Sequence, residues 1–366
     1  KSEDGSLLIG RNFDFYAGDD FAKDKIILFV KPNKGIPYMS VTWGGMIGVL
    51  SGMNTEGLTV TINAGKSDIP LVAKTPISIV TREILQYAST IEEAIAIAKK
   101  REVFVSESIM VGSAKDKKAV LIEMAPDNFD VYEVQNSSQL VCSNHFQSKA
   151  YQSDERNVNH IKESHSQYRF DRMNELLEEK DKMNPKKMAE ILRNKEGLAE
   201  RNIGFGNEKS LNQLRAHHAV IFKPEQLMVW VSSNPYQLGE FVAYDLKEVF
   251  TKTKGDFTIS AKVSENIAKD KFLETKEYVD YEKFRILDRK LEKVLKEKLT
   301  LEVGFAKEYQ NLNPDFWLVY SKIGEYYFQK GWYKAAEIEF EKALQKEITT
   351  VPDRKKIENY LKKINK

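Results

Sequence analysis

Gly10-Arg11-Asn12-Phe13-Asp14-Phe15, entered from the Asp4-Gly5 turn through the apolar run Leu7-Leu8-Ile9, decides how this chain is read. An apolar run straight after a turn predicts a short strand over Ser6–Asn12. Residues three apart on a strand point to opposite faces, so Arg11 and Asp14 meet at one site only if the strand ends between them. Alternation puts Phe13 and Phe15 together on a buried face and leaves Asn12 and Asp14 on the other. In that setting the Arg and the Asp could flank a nucleophile. A surface salt bridge is the plain alternative for any Arg-x-x-Asp.

Working outward, short apolar or alternating runs predict further strands at Lys25–Val30, Tyr38–Trp43, Ile47–Ser51 and Gly57–Ala64. Two helices follow, one opened by Thr75-Pro76 and one by the capping pattern Ser89-Thr90-Ile91-Glu92. Strands resume at Val103–Gly112, Ala119–Met124, Phe129–Val134 and Leu140–Ser143. A polar helical stretch covers roughly Ser166–Lys180 and Pro185–Arg193, before a strand pair at Arg215–Phe222 and Gln226–Ser232. Strands, helices, then strands again indicate an α+β chain with helices segregated on sheet faces. From about Lys252 the composition changes, and residues 264–300 read as a Lys- and Glu-rich helical connector. Residues 1–250 are thus expected to form the main domain, 251–312 a helical connector, and 313–366 a helical hairpin and tail. In that last part Ile323-Gly324, Tyr327, Gly331, Tyr333, Ala336, Phe340 and Ala343-Leu344 resemble one tetratricopeptide repeat. Arrays normally need about three such units, so the alternative is a hairpin docked on the main domain.

Composition narrows the function. In 366 residues, 56 basic and 54 acidic side chains leave a net charge of +2, which offers no argument for nucleic acid. No apolar run approaches the roughly 18 to 20 residues of an integral membrane segment. The lone Cys142 excludes an internal disulfide framework and cysteine-rich zinc sites, and leaves the compartment, cytoplasmic or exported, open. His217-His218 lie on an apparent strand and face opposite ways, so they do not chelate one metal together. Walker A, Rossmann, nucleophile-elbow and EF-hand patterns are missing, and no cofactor is implied.

Three more segments carry polar residues where chemistry could use them. Thr61-Ile62-Asn63-Ala64-Gly65 leaves a strand with an amide that could donate to an oxyanion, or simply cap a turn. Cys142-Ser143-Asn144-His145-Phe146 runs off a strand, with Asn144 and His145 placed to line a cleft and Cys142 more naturally a buried small residue than a nucleophile. Ser166-Gln167-Tyr168-Arg169-Phe170-Asp171-Arg172 opens a helix with an Arg in its first turn, against the helix dipole.

In order, DGSLLIGRNFDF, GMNTEGLTVTINAG, VCSNHF and SQYRFDR resemble the N-terminal-nucleophile (Ntn) cysteine hydrolases. That family includes choloylglycine hydrolases, penicillin V acylases, acid-ceramidase-like amidases and isopenicillin-N acyltransferases. The resemblance covers roughly residues 1–250 and implies a four-layer αββα sandwich, here with a C-terminal all-helical extension. It also implies a precursor cut to expose an N-terminal Cys whose α-amine is the general base. Arg11 would sit beside the thiolate, and Asp14 would orient the α-ammonium. Asn63 and Asn144 would supply oxyanion and amine-orienting contacts, and Arg169 would complete the charged rim, with Arg156 and Arg172 as competitors. His145 and Phe146 are expected to bind substrate.

The resemblance places the Cys roughly sixteen residues before Arg11, hence about six before Lys1, so the nucleophile is expected from outside the sequence shown. The expected function is an amidase, or an acyltransferase, acting on a small linear amide through a thioester. A non-catalytic Ntn-fold protein whose helical C-terminus engages a partner is the rival, and a homo-oligomer through those helices stays open.

Overall fold

Strand β1 (Ile9–Phe13) follows the Asp4-Gly5 turn and stops between Arg11 and Asp14, as the site requires. In the computed structural model, which describes residues 2–18, 20–67, 73–178, 182–251 and 261–365, β1 begins a four-stranded antiparallel sheet. Its order is β1-β9-β10-β11, with β9 at His218–Lys223, β10 at Met228–Ser232 and β11 at Phe241–Asp245. Among the described residues β1 pairs with β9 on one side only, Arg11 opposite Val220.

The second sheet is a seven-stranded antiparallel meander: β2 (Ile26–Val30), β3 (Tyr38–Thr42), β4 (Ser51–Asn54), β5 (Leu58–Ala64), β6 (Glu107–Ser113), β7 (Lys118–Ala125) and β8 (Asn128–Tyr132). Alternation along each strand sorts its side chains between two cores. Met39, Val41 and Met53 face the other sheet and meet Ile9, Val220, Phe222, Val229 and Val231. Tyr38, Leu58, Val60, Ile109 and Val111 face helices α1 (Ile77–Tyr87) and α2 (Ile91–Lys99) through Val80, Ile84, Leu85 and Ala94. On the far side, α5 (Pro185–Leu192) lays Ala189 and Leu192 on Ala219, Ile221 and Trp230 of the smaller sheet. The result is the expected αββα sandwich. Helices α3 (Glu155–Glu163) and α4 (Ser166–Glu178) run beside it.

Local chemistry explains most element ends and corrects some. Thr90, rather than Ser89, caps α2 by accepting from Glu93 N, while the Glu93 carboxylate reaches back to Ser89 N at 2.7 Å. The fourth strand starts at Ser51, where the residues from Ile47 were expected to run. Leu140–Ser143 is an extended segment with no ladder partner among the described residues. Phe15 stacks on Phe13 as expected, with ring centroids 5.9 Å apart, but past the end of the strand it is 55% exposed rather than buried. The expected stretch to Lys180 and the composition change at Lys252 reach into residues outside those described.

α6 spans Leu246–Thr251, and from Lys276 on the chain is helical: α7 (Lys276–Glu297), α8 (Phe305–Leu312), α9 (Trp317–Gln329), α10 (Tyr333–Leu344) and α11 (Val351–Ile364). Gly324 lets α9 and α10 touch, since a Cβ there would lie 2.7 Å from the Phe340 ring. The hairpin does not bury its apolar face alone. Tyr281, Phe284 and Leu291 of α7, Tyr309 of α8 and Ile357 of α11 share one core with Trp317, Ile323 and Phe340. Leu214 and Leu238 of the sandwich belong to that core too.

Candidate active site

Beside the unpaired edge of β1 runs a groove of about 950 Å³. Its walls combine the apolar Leu7, Leu8, Met110, Met173, Met183 and Met188 with charged side chains, among them Lys117, Lys118, Glu133 and Lys182. Arg11, Asp14, Asn63, Asn144 and Arg169, from four separate stretches of sequence, line it together with Cys142 and Arg215.

Arg11 points between the sheets because it shares the face of Ile9 and Phe13. Its guanidinium lies over the Phe13 ring at 4.4 Å and donates to Ser51 Oγ, to the Ile62 carbonyl and, at 3.3 Å, to the Leu50 carbonyl. The group is thus clamped by the strand ends that also carry Asn63. Burial pulls Arg11 down to about 10, against the pull of Asp14, Glu107 and Cys142, so it stays charged at neutral pH. Its Nε has no hydrogen-bond partner.

Asp14 is raised by burial, opposed by Arg169, Arg215 and Arg11 in that order. Arg169 Nη1 is 4.0 Å from Asp14 Oδ2, while Asp14 Oδ1 is buried with no hydrogen-bond partner among the described residues. Three guanidinium charges therefore act on one carboxylate whose Oδ1 accepts no hydrogen bond from the described residues. An ammonium is the group that such an oxygen would take.

Two amides line the same groove, Asn63 near the end of β5 and Asn144 just after the unladdered Leu140–Ser143 segment. Asn63 Nδ2 donates to Cys142 Sγ at 3.0 Å, and Asn144 Nδ2 donates to the Ala64 carbonyl at 3.0 Å. Arg169 donates to Asn144 Oδ1, which fixes the amide with its N–H groups turned toward Ala64. Each amide nitrogen carries a second hydrogen, so both can serve a developing oxyanion. Cys142 itself is pushed up to about 12 by burial and stays a thiol. It is a wall residue, in line with the reading from its sequence.

The structure places His145 and Phe146 behind the groove. Nδ1 of His145 lies 2.8 Å from Ser166 Oγ, the ring is buried against Phe170, and burial drags it down to about 4. Phe146 is buried against Tyr151 under Gly65. Of the competing arginines, Arg172 is buried in a pair with Glu175 and Glu200, and Arg156 donates to the Ser67 carbonyl at 3.4 Å. Neither lines the groove.

Sequence reasoning missed Arg215 and Glu208. Glu208 accepts from Arg215 and from His165 Nε2 at 3.2 Å, and the His165 bond leads in holding its carboxyl down at about 2. Arg215 was visible as the first residue of a predicted strand, yet nothing in its spacing marked it. The two histidines after it also differ from expectation: their Nδ1 atoms are 2.8 Å apart, because His217 lies just before the ladder that fixes His218. His218 Nε2 continues to Ser51 Oγ at 2.8 Å, and so to Arg11.

Two antiparallel sheets between helix layers, with an Arg, an Asp and two Asn gathered at the end of an unpaired strand edge, define the class of N-terminal-nucleophile hydrolases. The sequence model of the acyl-coenzyme A:6-aminopenicillanic acid acyl-transferase family matches residues 1–233, and the chain belongs to that family. An uncharacterized protein of Archaeoglobus fulgidus is 25% identical over 134 residues, which is 36% of this chain and 22% of that protein's length. Among solved structures, the Caenorhabditis elegans N-acylethanolamine-hydrolyzing acid amidase ortholog is 20% identical with a TM-score of 0.43, covering 62% of this chain and 91% of that one. Penicillin V acylase from Agrobacterium tumefaciens is 14% identical with a TM-score of 0.46, covering 68% and 84%. A conjugated bile acid hydrolase from Clostridium perfringens is 15% identical with a TM-score of 0.45, covering 71% and 94%.

Proposed function

We propose that this protein cleaves or transfers the acyl group of a small linear amide through a cysteine thioester, the Cys lying upstream of Lys1 on a strand along the unpaired edge of β1. The observation that supports the reading is Asp14: a buried carboxylate under the charges of Arg169, Arg215 and Arg11, whose Oδ1 has no hydrogen-bond partner among the described residues. An α-ammonium arriving there would complete it.

In this mechanism the free α-amine takes the thiol proton, and Arg11 favours the thiolate electrostatically. The sulfur attacks the amide carbon, the carbonyl π pair moves to oxygen, and the Asn63 and Asn144 amides hold that oxyanion. Collapse expels the amine, which leaves with the proton stored on the α-ammonium. Water or a second amine then attacks the thioester, releasing a free acid or a new amide and returning the proton to the thiol. The family's name, an acyl transfer, supports acyl chemistry and leaves the acceptor open.

The test uses protein expressed from its whole reading frame. The expected result is N-terminal processing seen by mass, followed by iodoacetamide labelling of the newly exposed Cys while Cys142 stays unlabelled until the protein is unfolded. A native protein with no labelled upstream thiol would overturn the mechanism and favour a binding role. Release of free acid with and without added amines separates hydrolysis from transfer.

A further inference from the structure

Two of the five charged residues of the site, Glu208 and Arg215, ride on backbone with no ladder of its own among the described residues. Residues 202–217 run irregularly into β9 and carry Glu208, Gln213 and Arg215 to the groove or its edge. The C-terminal helices, beyond the family match at residues 1–233, hold that segment in place.

The hold is built around Asn207, which is wholly buried. Its Nδ2 donates to the Ile203 carbonyl at 3.1 Å and to the Glu347 carbonyl at 2.9 Å. Its Oδ1 accepts from Lys209 N at 3.1 Å and from the Thr349 hydroxyl at 3.0 Å. Thr349 in turn accepts from the Trp317 indole N–H at 2.8 Å. Every donor and acceptor site of the Asn207 amide is filled, two of the four by the C-terminal unit. Around it, Asn313 exchanges two hydrogen bonds with the Phe205 backbone, at 2.8 and 3.1 Å, and Lys209 pairs with the Glu347 carboxylate. Gly204 lies so close that a Cβ would be 2.4 Å from the Phe316 backbone.

The next residue after Asn207 is Glu208, which ties Arg215 to His165. We propose that the chain Trp317–Thr349–Asn207 is a positioning device that sets the Glu208–Arg215 pair opposite Asp14. The C-terminal helical unit is then a working part of the acyl-transfer site, not an appended module. An irregular segment stays in register only when its polar groups have fixed partners, and here those partners come from α9 and the α10–α11 turn.

The experiment is a double-mutant cycle between Thr349→Val and Glu208→Gln, with Thr349→Ser as the hydroxyl-keeping control. Its turnover arm rests on the functional reading above; its second arm, the titration of the His165 imidazole followed by NMR, does not. His165 is lowered by burial and by Arg169 and Arg215, and raised by its bond to Glu208. Weakening that bond lowers its titration further. Thr349→Val is expected to move His165 in the same direction as Glu208→Gln, and to lower kcat roughly tenfold with KM within about twofold. Thr349→Ser is expected to match the parent, and Thr349→Val to add nothing on the Glu208→Gln background. Should Thr349→Val fail to fold, Trp317→Phe, which removes the donor to Thr349, replaces it. A full additive effect, or an unmoved His165 in folded Thr349→Val or Trp317→Phe, overturns the proposal. If the parent protein turns over no amide, the functional reading fails while the titration still decides this one.

Discussion

At the scale of single residues, the site is defined by burial working against charge. Glu107 is pushed up to about 7 by burial, only partly countered by Arg11, and its Oε2 has no partner. An acid whose pKa rises on folding binds its proton more tightly in the native state. Stability is therefore greatest below its ordinary 4.5 and falls as pH climbs through about 7. A rise of that size is worth at most about 3 kcal/mol once the group is ionised. Glu107→Gln should melt with the parent at pH 4 and above it at pH 8. Thermal unfolding at the two pH values checks this, and a variant no more stable at pH 8 would mean that the ionised carboxylate is paid back by Arg11. The same opposition acts at Arg11, Asp14 and Arg169: burial disfavours each charge, and neighbouring opposite charges counter it.

At the scale of elements, the site depends on how strand ends are brought together. Asn63 leaves β5 two residues before Gly65, and a Cβ on Gly65 would sit 2.5 Å from the ring of Phe146. Phe146 cannot yield, since it is sealed against Tyr151 and Ala125. Gly65→Ala should cost about 1–3 kcal/mol of stability by overpacking and should lower turnover by spreading Asn63 from Asn144. Denaturant unfolding with steady-state kinetics checks both, and full activity would show that the two amides act independently. This geometry also shows what could be read from sequence. The turn, the apolar run and the stop after Phe13 located Arg11 and Asp14, because local patterning governs a strand and its end. Asn63 and Asn144 were legible as polar residues at strand exits. His145 and Phe146 were misplaced because the segment before them has no ladder, so alternation does not set their direction. Glu208 and Arg215 were missed because contacts 142 residues away in sequence, between Asn207 and Thr349, place them.

At the scale of the whole molecule, the question is whether sandwich and helical unit unfold as one. The apolar core of α7–α11 includes Leu214 and Leu238, and Phe205 and Tyr236 pack against it. Polar contacts close the same seam: Tyr281 O–H reaches the Leu214 carbonyl at 3.4 Å, and Tyr236 O–H donates to Glu282 at 3.0 Å while accepting from Arg285. Removing the helices would strip cover from apolar side chains that sit immediately before β9 and just after β10. β9 pairs directly with β1, which carries Arg11, and β10 lies on the other side of β9 in the same sheet. Cooperativity across such a seam is expected when each side leaves the other's core open to water. A chain ending before Lys276 should therefore fail to give a folded sandwich, and the intact protein should unfold in a single transition. Far-ultraviolet circular dichroism and the fluorescence of Trp317, kept as the sole tryptophan by replacing Trp43, Trp230 and Trp332 with Phe, should report coincident urea midpoints. Separate midpoints would show two folding units and confine the coupling between them to the local contacts around Asn207.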